Sequence, residues 1–235
     1  VGTDGTGTLS SADGNTGVGT GVLGALTTGD NNVAVGFNSL DLNTTGSSNT
    51  SIGKDSLKSN TTGVGNTSVG MGTLYSNTTA SYNTAIGSLA LDTNTTGASN
   101  TAVGYDALTA NSSGSNNTAV GGNALDANTT GLNNTTVGYD SLTSNTTGAS
   151  NVAMGNQAMF DNTTGNNNVG VGCDALANNT TASNNTAVGC GALHKNTTGS
   201  TNTAAGQRAS ACNTTGDSHS AFGFEALKTN TTGGN

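Results

Sequence analysis

Glycine recurs at every seventeenth residue from Gly19 to Gly223, thirteen times in succession, with no insertion or deletion. Gly2 falls in the same phase, so the 235 residues make nearly fourteen copies of a unit close to NTAVGYDALTANTTGSN. Such a chain cannot draw its core from distant, dissimilar elements. Every repeat must adopt one conformation and stack on its neighbours, because a single repeat is too small to bury its own apolar side chains.

Numbering positions from the opening Asn, each has its own chemistry. Position 4 is aliphatic almost throughout (Val35, Ile52, Val69, Ile86, Val103), and position 9 is Leu in eleven of thirteen repeats, the exceptions being Met159 and Ser210. Positions 3 and 8 take small residues such as Ala102 and Ala107, apart from Val22. Position 6 accepts Lys54, Gly122 and Phe224 alike, which marks a solvent-facing site. Asn fills position 1 from Asn15 to Asn202, with His219 as the exception, and fills position 12 from Asn43 to Asn230. Stacked identical amides can hydrogen-bond along the stack as ladders.

Thr (44), Gly (37) and Asn (35) supply 116 residues, a poor composition for helix. A meander of hairpins would use Asn-Gly turns, and that dipeptide never occurs although both residues abound. The remaining solution is an all-β parallel β-solenoid or β-roll with one turn per 17-residue repeat. About 14 turns at ~4.8 Å each would make a rod of about 65 Å, a single repeat domain over 1–235. Within each turn a strand is expected over NTAVG and a second near DALT, with NTTG as the return. Position 4 is expected to meet position 9 in a core two side chains thick. Proline would remove a ladder hydrogen bond in each turn, and there is none.

The phrases NTAVGYDAL, NTAVGGNAL, NTAIGSLAL and NTTVGYDSL resemble the head-domain repeats of trimeric autotransporter adhesins (the YadA-like head) and related phage tail-fibre repeats. The resemblance covers essentially the whole chain. It implies a parallel β-roll, a trimer, and an extracellular or cell-surface role in binding or spacing. The NTTG turn is longer than in typical adhesin heads, and no neck or coiled-coil stalk pattern is present.

Several classes of chemistry are poorly supplied. Five basic residues against a net charge of −8 cannot neutralise a run of phosphates, so nucleic-acid binding is disfavoured. No stretch is apolar enough for a membrane helix. His194 and His219 are the only near-neutral acid–base groups, and neither belongs to a nucleophile motif, so no enzymatic activity and no cofactor are expected. Cys190 and His194 with Cys173 lack an evident fourth zinc ligand, and the Asp residues at position 7 (Asp55, Asp106, Asp140, Asp174) skip turns, so no metal site is expected. Cys173 and Cys190 stack at position 6 and are either exposed free thiols or a disulfide within the usual Cα range.

The most regular candidate modification is N-glycosylation. Position 12 supplies an Asn-x-Ser/Thr sequon at Asn43, Asn60, Asn77, Asn94, Asn111, Asn128, Asn145, Asn162, Asn179, Asn196, Asn213 and Asn230. Two readings stand. NTTG is simply the turn, with Asn bonding local backbone, or it is a glycan-coated edge on which sugars would crowd at every rung. The expected function is an extracellular structural rod or fibril with an adhesin-like or fibre-shaft role. Its expected partners are further copies, in an end-to-end fibril or a trimer, together with covalent glycans and host or surface ligands. Without obvious polar caps, the chain reads as part of a longer array or as a subunit that stacks end to end. Alternatives are an ice-binding or carbohydrate-binding β-solenoid, the former through recurring Thr at positions 2, 13 and 14, or a phage tail-fibre segment.

Overall fold

A computed structural model of the protein describes residues 12–233; the N-terminal phrase containing Gly2 lies outside them. The chain divides into two compact units, Val1–Asn116 and Asn117–Asn235. The first contains β1 (Thr16–Val18), β2 (Val33–Val35), β3 (Thr50–Ile52), β4 (Thr67–Val69), β5 (Thr84–Ile86) and β6 (Thr101–Val103). The second contains β7 (Thr118–Val120), β8 (Thr135–Val137), β9 (Val152–Met154), β10 (Val169–Val171), β11 (Thr186–Val188), β12 (Thr203–Ala205) and β13 (Ser220–Phe222). Within each unit successive strands pair in parallel with every residue opposite its equivalent one repeat on, as in Thr50↔Thr67 and Val171↔Val188. Each unit is therefore a parallel β-solenoid with one turn per repeat, and no helix occurs among the described residues.

Two details differ from the sequence expectation. The DALT segment is a turn rather than a second strand, because positions 7 and 9 adopt left-handed backbone conformations: Asp55 and Leu57 have φ of 54° and 49°, Asp140 and Leu142 of 51° and 54°. Asn, Asp and Gly tolerate that region, which accounts for their prevalence at position 7. Rung-to-rung hydrogen bonds persist through the turn, with the Leu74 N–H donating to the Ala90 carbonyl at 3.0 Å and the Ser76 N–H to the Asp92 carbonyl at 2.9 Å. Continuous pairing without extended backbone is why the turn stacks as regularly as the strand.

The second difference inverts the core. Alternation along the strand puts Thr and the aliphatic residue on one face and Asn and Ala on the other, but it is the Asn/Ala face that points inward. Ala34, Ala85, Ala119, Ala153 and Ala187 at position 3 are fully buried. Position 4 is buried nowhere among the described turns. The Leu side chains of position 9 lie against the small residues of positions 3 and 8, and the interior is completed by Asn rather than by Val. Close stacking also fixes the bend after the strand: Gly70 has φ +141°, and a Cβ there would sit 2.6 Å from the Gly87 carbonyl oxygen and 2.8 Å from its carbon. Only glycine fits both the conformation and the space.

Candidate functional site

Both Asn columns are buried ladders. Asn49 Nδ2 donates to Asn32 Oδ1 at 3.2 Å and to the Gly63 carbonyl at 2.9 Å, while its own Oδ1 accepts the Asn66 backbone N–H at 2.9 Å. At position 12, Asn60 Nδ2 donates to Asn43 Oδ1 at 2.8 Å and to the same Gly63 carbonyl at 3.1 Å. One carbonyl per turn thus accepts from both columns, filling its two lone-pair sites, and the arrangement repeats at Gly148 with Asn134 and Asn145.

The sequon expectation meets this geometry directly. Asn43, Asn60, Asn77, Asn94, Asn111, Asn128, Asn145, Asn162, Asn179, Asn196 and Asn213 are fully buried, and N-glycosylation would replace an Nδ2 hydrogen that the ladder uses. Asn230, half-buried in the last described turn, donates to the Gly233 carbonyl at 2.9 Å. The turn reading of NTTG describes these contacts, in which the Nδ2 groups of the eleven buried amides are engaged by the ladder and local backbone. Position 13 is similarly occupied: the hydroxyls of Thr44, Thr61 and Thr146 donate to the carbonyl of the next turn at 3.0 to 3.1 Å.

The outward face of the strands carries the feature that sequence reasoning misplaced. Val18, Ile52 and Ile86 in the first unit, and Val137, Met154, Val188 and Phe222 in the second, are exposed large apolar side chains. Beside them on the same face, β2 to β12 each carry a half-exposed Thr or Val at position 2, and β1 and β13 carry the exposed Thr16 and Ser220. Neither position carries a charged residue in any described turn. Beside this strip, Phe37, Met71, Tyr105, Tyr139 and Phe224 at position 6 are also exposed. Charged residues stand outside positions 2 and 4, and ion pairs include Lys54–Asp55 at 2.9 Å, which holds the Asp55 carboxyl below its usual range, and Lys228–Glu225 at 2.6 Å. An aliphatic column of variable size, including Met154 and Phe222 beside Ala205, was itself a signal of an outer position, because the inner column never exceeds Thr136.

Reactive side chains gather only in the second unit. Cys173 and Cys190 are free and exposed, and Cys212 is free and half-exposed. A groove of about 290 Å³ is lined by Asp174, Cys190, His194, Lys195, Arg208 and Cys212. His194 Nδ1 approaches the Asp174 carbonyl oxygen at 3.4 Å. Among the described residues no three His, Cys, Asp or Glu side chains converge closely enough to hold a metal ion.

His219, the exception at position 1, is buried and contacts the exception at position 9: its Nε2 lies 3.0 Å from Ser210 Oγ, and its backbone N–H donates to Asn202 Oδ1 at 3.2 Å. The larger ring occupies space that a serine frees in place of leucine, so the two departures from the repeat compensate each other. Burial lowers the imidazole pKa, partly offset by the charge of Asp217.

No family model, curated protein or solved structure matches this chain.

Proposed function

We propose that the protein is a non-catalytic structural rod, an extracellular fibre shaft or adhesin segment, whose solenoid surface associates side by side with further copies of itself through the outward face of its strands. The observation that carries this reading is the uncharged strip of Thr, Val and Ile repeated on successive turns. Soluble monomers seldom leave a contiguous apolar surface of this kind uncovered. Covering one half-exposed Val would contribute about 1 kcal/mol at ~25 cal/mol per Å², and the gain recurs on every turn. Another copy is the partner that suits the strip, since only a surface with the same ~4.8 Å rung spacing meets every turn in equivalent fashion. The extracellular setting and an adhesin-like or tail-fibre role rest on the resemblance of the NTAVGYDAL phrases, which also implies three copies.

The test is the molar mass in solution of the wild-type chain and of Val137→Asp/Val188→Asp, both side chains being exposed. The expected outcome is an oligomer for the wild type and a monomer with unchanged circular dichroism for the variant; a monomeric wild type at high concentration would overturn the association.

A second reading is favoured by the Thr at position 2, which shares the outward strand face with position 4 in nine of the thirteen strands. Such a regular Thr-x-Val array could order water and bind ice. Thermal hysteresis in a monomeric wild type, lost on Thr186→Lys, would replace the association reading.

A further inference from the structure

The second unit holds a pair of thiols placed to tie two successive turns together. Gly189 N–H donates to the Val171 carbonyl at 2.8 Å, and Gly191 N–H to the Cys173 carbonyl at 2.9 Å. These bonds flank position 6 and keep Cys173 directly opposite Cys190, one rung apart. At ~4.8 Å, rung spacing falls within the 4.4–6.8 Å Cα separation that disulfides span. Both residues are free and exposed. The third cysteine, Cys212, sits at position 11 of the following turn, offset from this column.

We propose that Cys173 and Cys190 form a redox staple: on exposure to a peroxide they close an intrachain disulfide that locks adjacent turns of the solenoid, leaving Cys212 free. The thiolate of one cysteine attacks the peroxide O–O bond, giving a sulfenic acid and releasing water after proton transfer. The second thiolate then attacks the sulfenic sulfur and expels a second water. In total two thiols lose two electrons and two protons, one S–S bond forms, and hydrogen peroxide is reduced to two waters. The cross-link acts where a solenoid is weakest, at the separation of one turn from the next, because a turn bonded covalently to its neighbour cannot peel away alone.

The reduced pair is set to be slow. Burial, then the hydrogen bond and charge of Asp174, push the Cys173 thiol above its ordinary range, so little thiolate is present at neutral pH. Thiolate content rises about tenfold per pH unit below the thiol pKa, and closure initiated at Cys173 should accelerate accordingly.

The experiment treats the folded full chain with hydrogen peroxide, blocks remaining thiols with a maleimide and measures intact mass. Proteolysis before Asp174 and after Lys195 and Arg208 separates the three cysteines into 161–173, 174–195 and a peptide beginning at Ala209. The expected result is a chain with no covalent link to another copy, lighter by two hydrogens, with one thiol labelled instead of three and the first two peptides joined until a reductant is added. Cys212→Ser should behave identically, while Cys173→Ser should lose the link. Oxidised chain should also resist limited proteolysis between residues 173 and 190 by at least tenfold longer half-life than reduced chain. A link to Cys212, a link between chains, or sulfinic acid at Cys173 or Cys190 in place of the disulfide would overturn the proposal.

Discussion

Ala187 and Val188 are consecutive residues of β11 with opposite fates: the alanine is fully buried, whereas the larger and more apolar valine is 43% exposed. The same division runs through Ala153 and Met154, and through Ala85 and Ile86. Within the strands, apolarity therefore does not mark the inward face, although position 9 buries leucines such as Leu57 and Leu142. Size and hydrogen-bonding capacity do, because turns ~4.8 Å apart with two buried amide columns leave little width between their walls. Within these strands the outer face keeps the larger apolar residue.

The contrast can be broken most severely from within. Ala187→Leu should destabilise the second unit by about 3 kcal/mol, because a filled interior cannot admit three more carbons without backbone shifts, whereas Val188→Leu should change stability in the monomer by less than about 0.5 kcal/mol. Urea unfolding of the two variants separates them. Equal losses would mean that the two faces are not distinct.

Next in size is the ladder. Asn162 Nδ2 donates to Asn145 Oδ1 at 2.9 Å and to the Gly165 carbonyl at 3.2 Å. Asn162→Ala removes both bonds and leaves buried acceptors unsatisfied, for an expected loss of about 2 kcal/mol. Asn162→Gln, which prevents glycosylation at that sequon, should be comparably harmful if the role of the amide is structural. Hydrogen exchange should show the damage centred on the turns flanking residue 162.

The smallest effect sharpens the comparison at His219, the one buried titratable side chain among the described residues. His219 is held neutral by burial, its pKa lowered despite the opposing charge of Asp217, and its buried Nδ1 has no hydrogen-bond partner. The folded state thus binds this proton less readily than the unfolded one. Stability is fully present above the ordinary imidazole pKa of about 6.5 and falls as pH drops below it towards the lowered folded value. His219→Asn combined with Ser210→Leu restores the repeat at both positions and should flatten unfolding free energy between about pH 6.5 and 5. An unchanged pH slope in the double variant would show that other groups set it.

Much of this architecture was legible in the residues themselves. The unbroken spacing of Gly19 to Gly223 required one conformation per repeat, and the absence of proline and Asn-Gly pointed to coiling parallel strands. The ladders were legible too, since Asn at positions 1 and 12 has few other reasons to persist. The inner face was not, because a period-2 alternation is symmetric: Thr-x-Val inside and Asn-x-Ala inside produce the same pattern. Nor was the turn at DALT, where left-handed φ at Leu57 or Leu142 runs against residue preference and is imposed by stacking. For the candidate site, the stacking of Cys173 and Cys190 in one column was visible in the spacing, whereas the partnership of His219 with Ser210, nine residues apart in different columns, was not.

The sequence by itself determined the period, the parallel in-register stack and the residues that repeat on every turn. Only the tertiary structure decided which side of each strand faces inward. That choice falls to the Asn columns, because burying an amide is costly unless it is hydrogen-bonded, and the Nδ2 groups of the two columns converge on a shared carbonyl such as that of Gly63. Once the amides are inside, alternation sends Val and Ile outward.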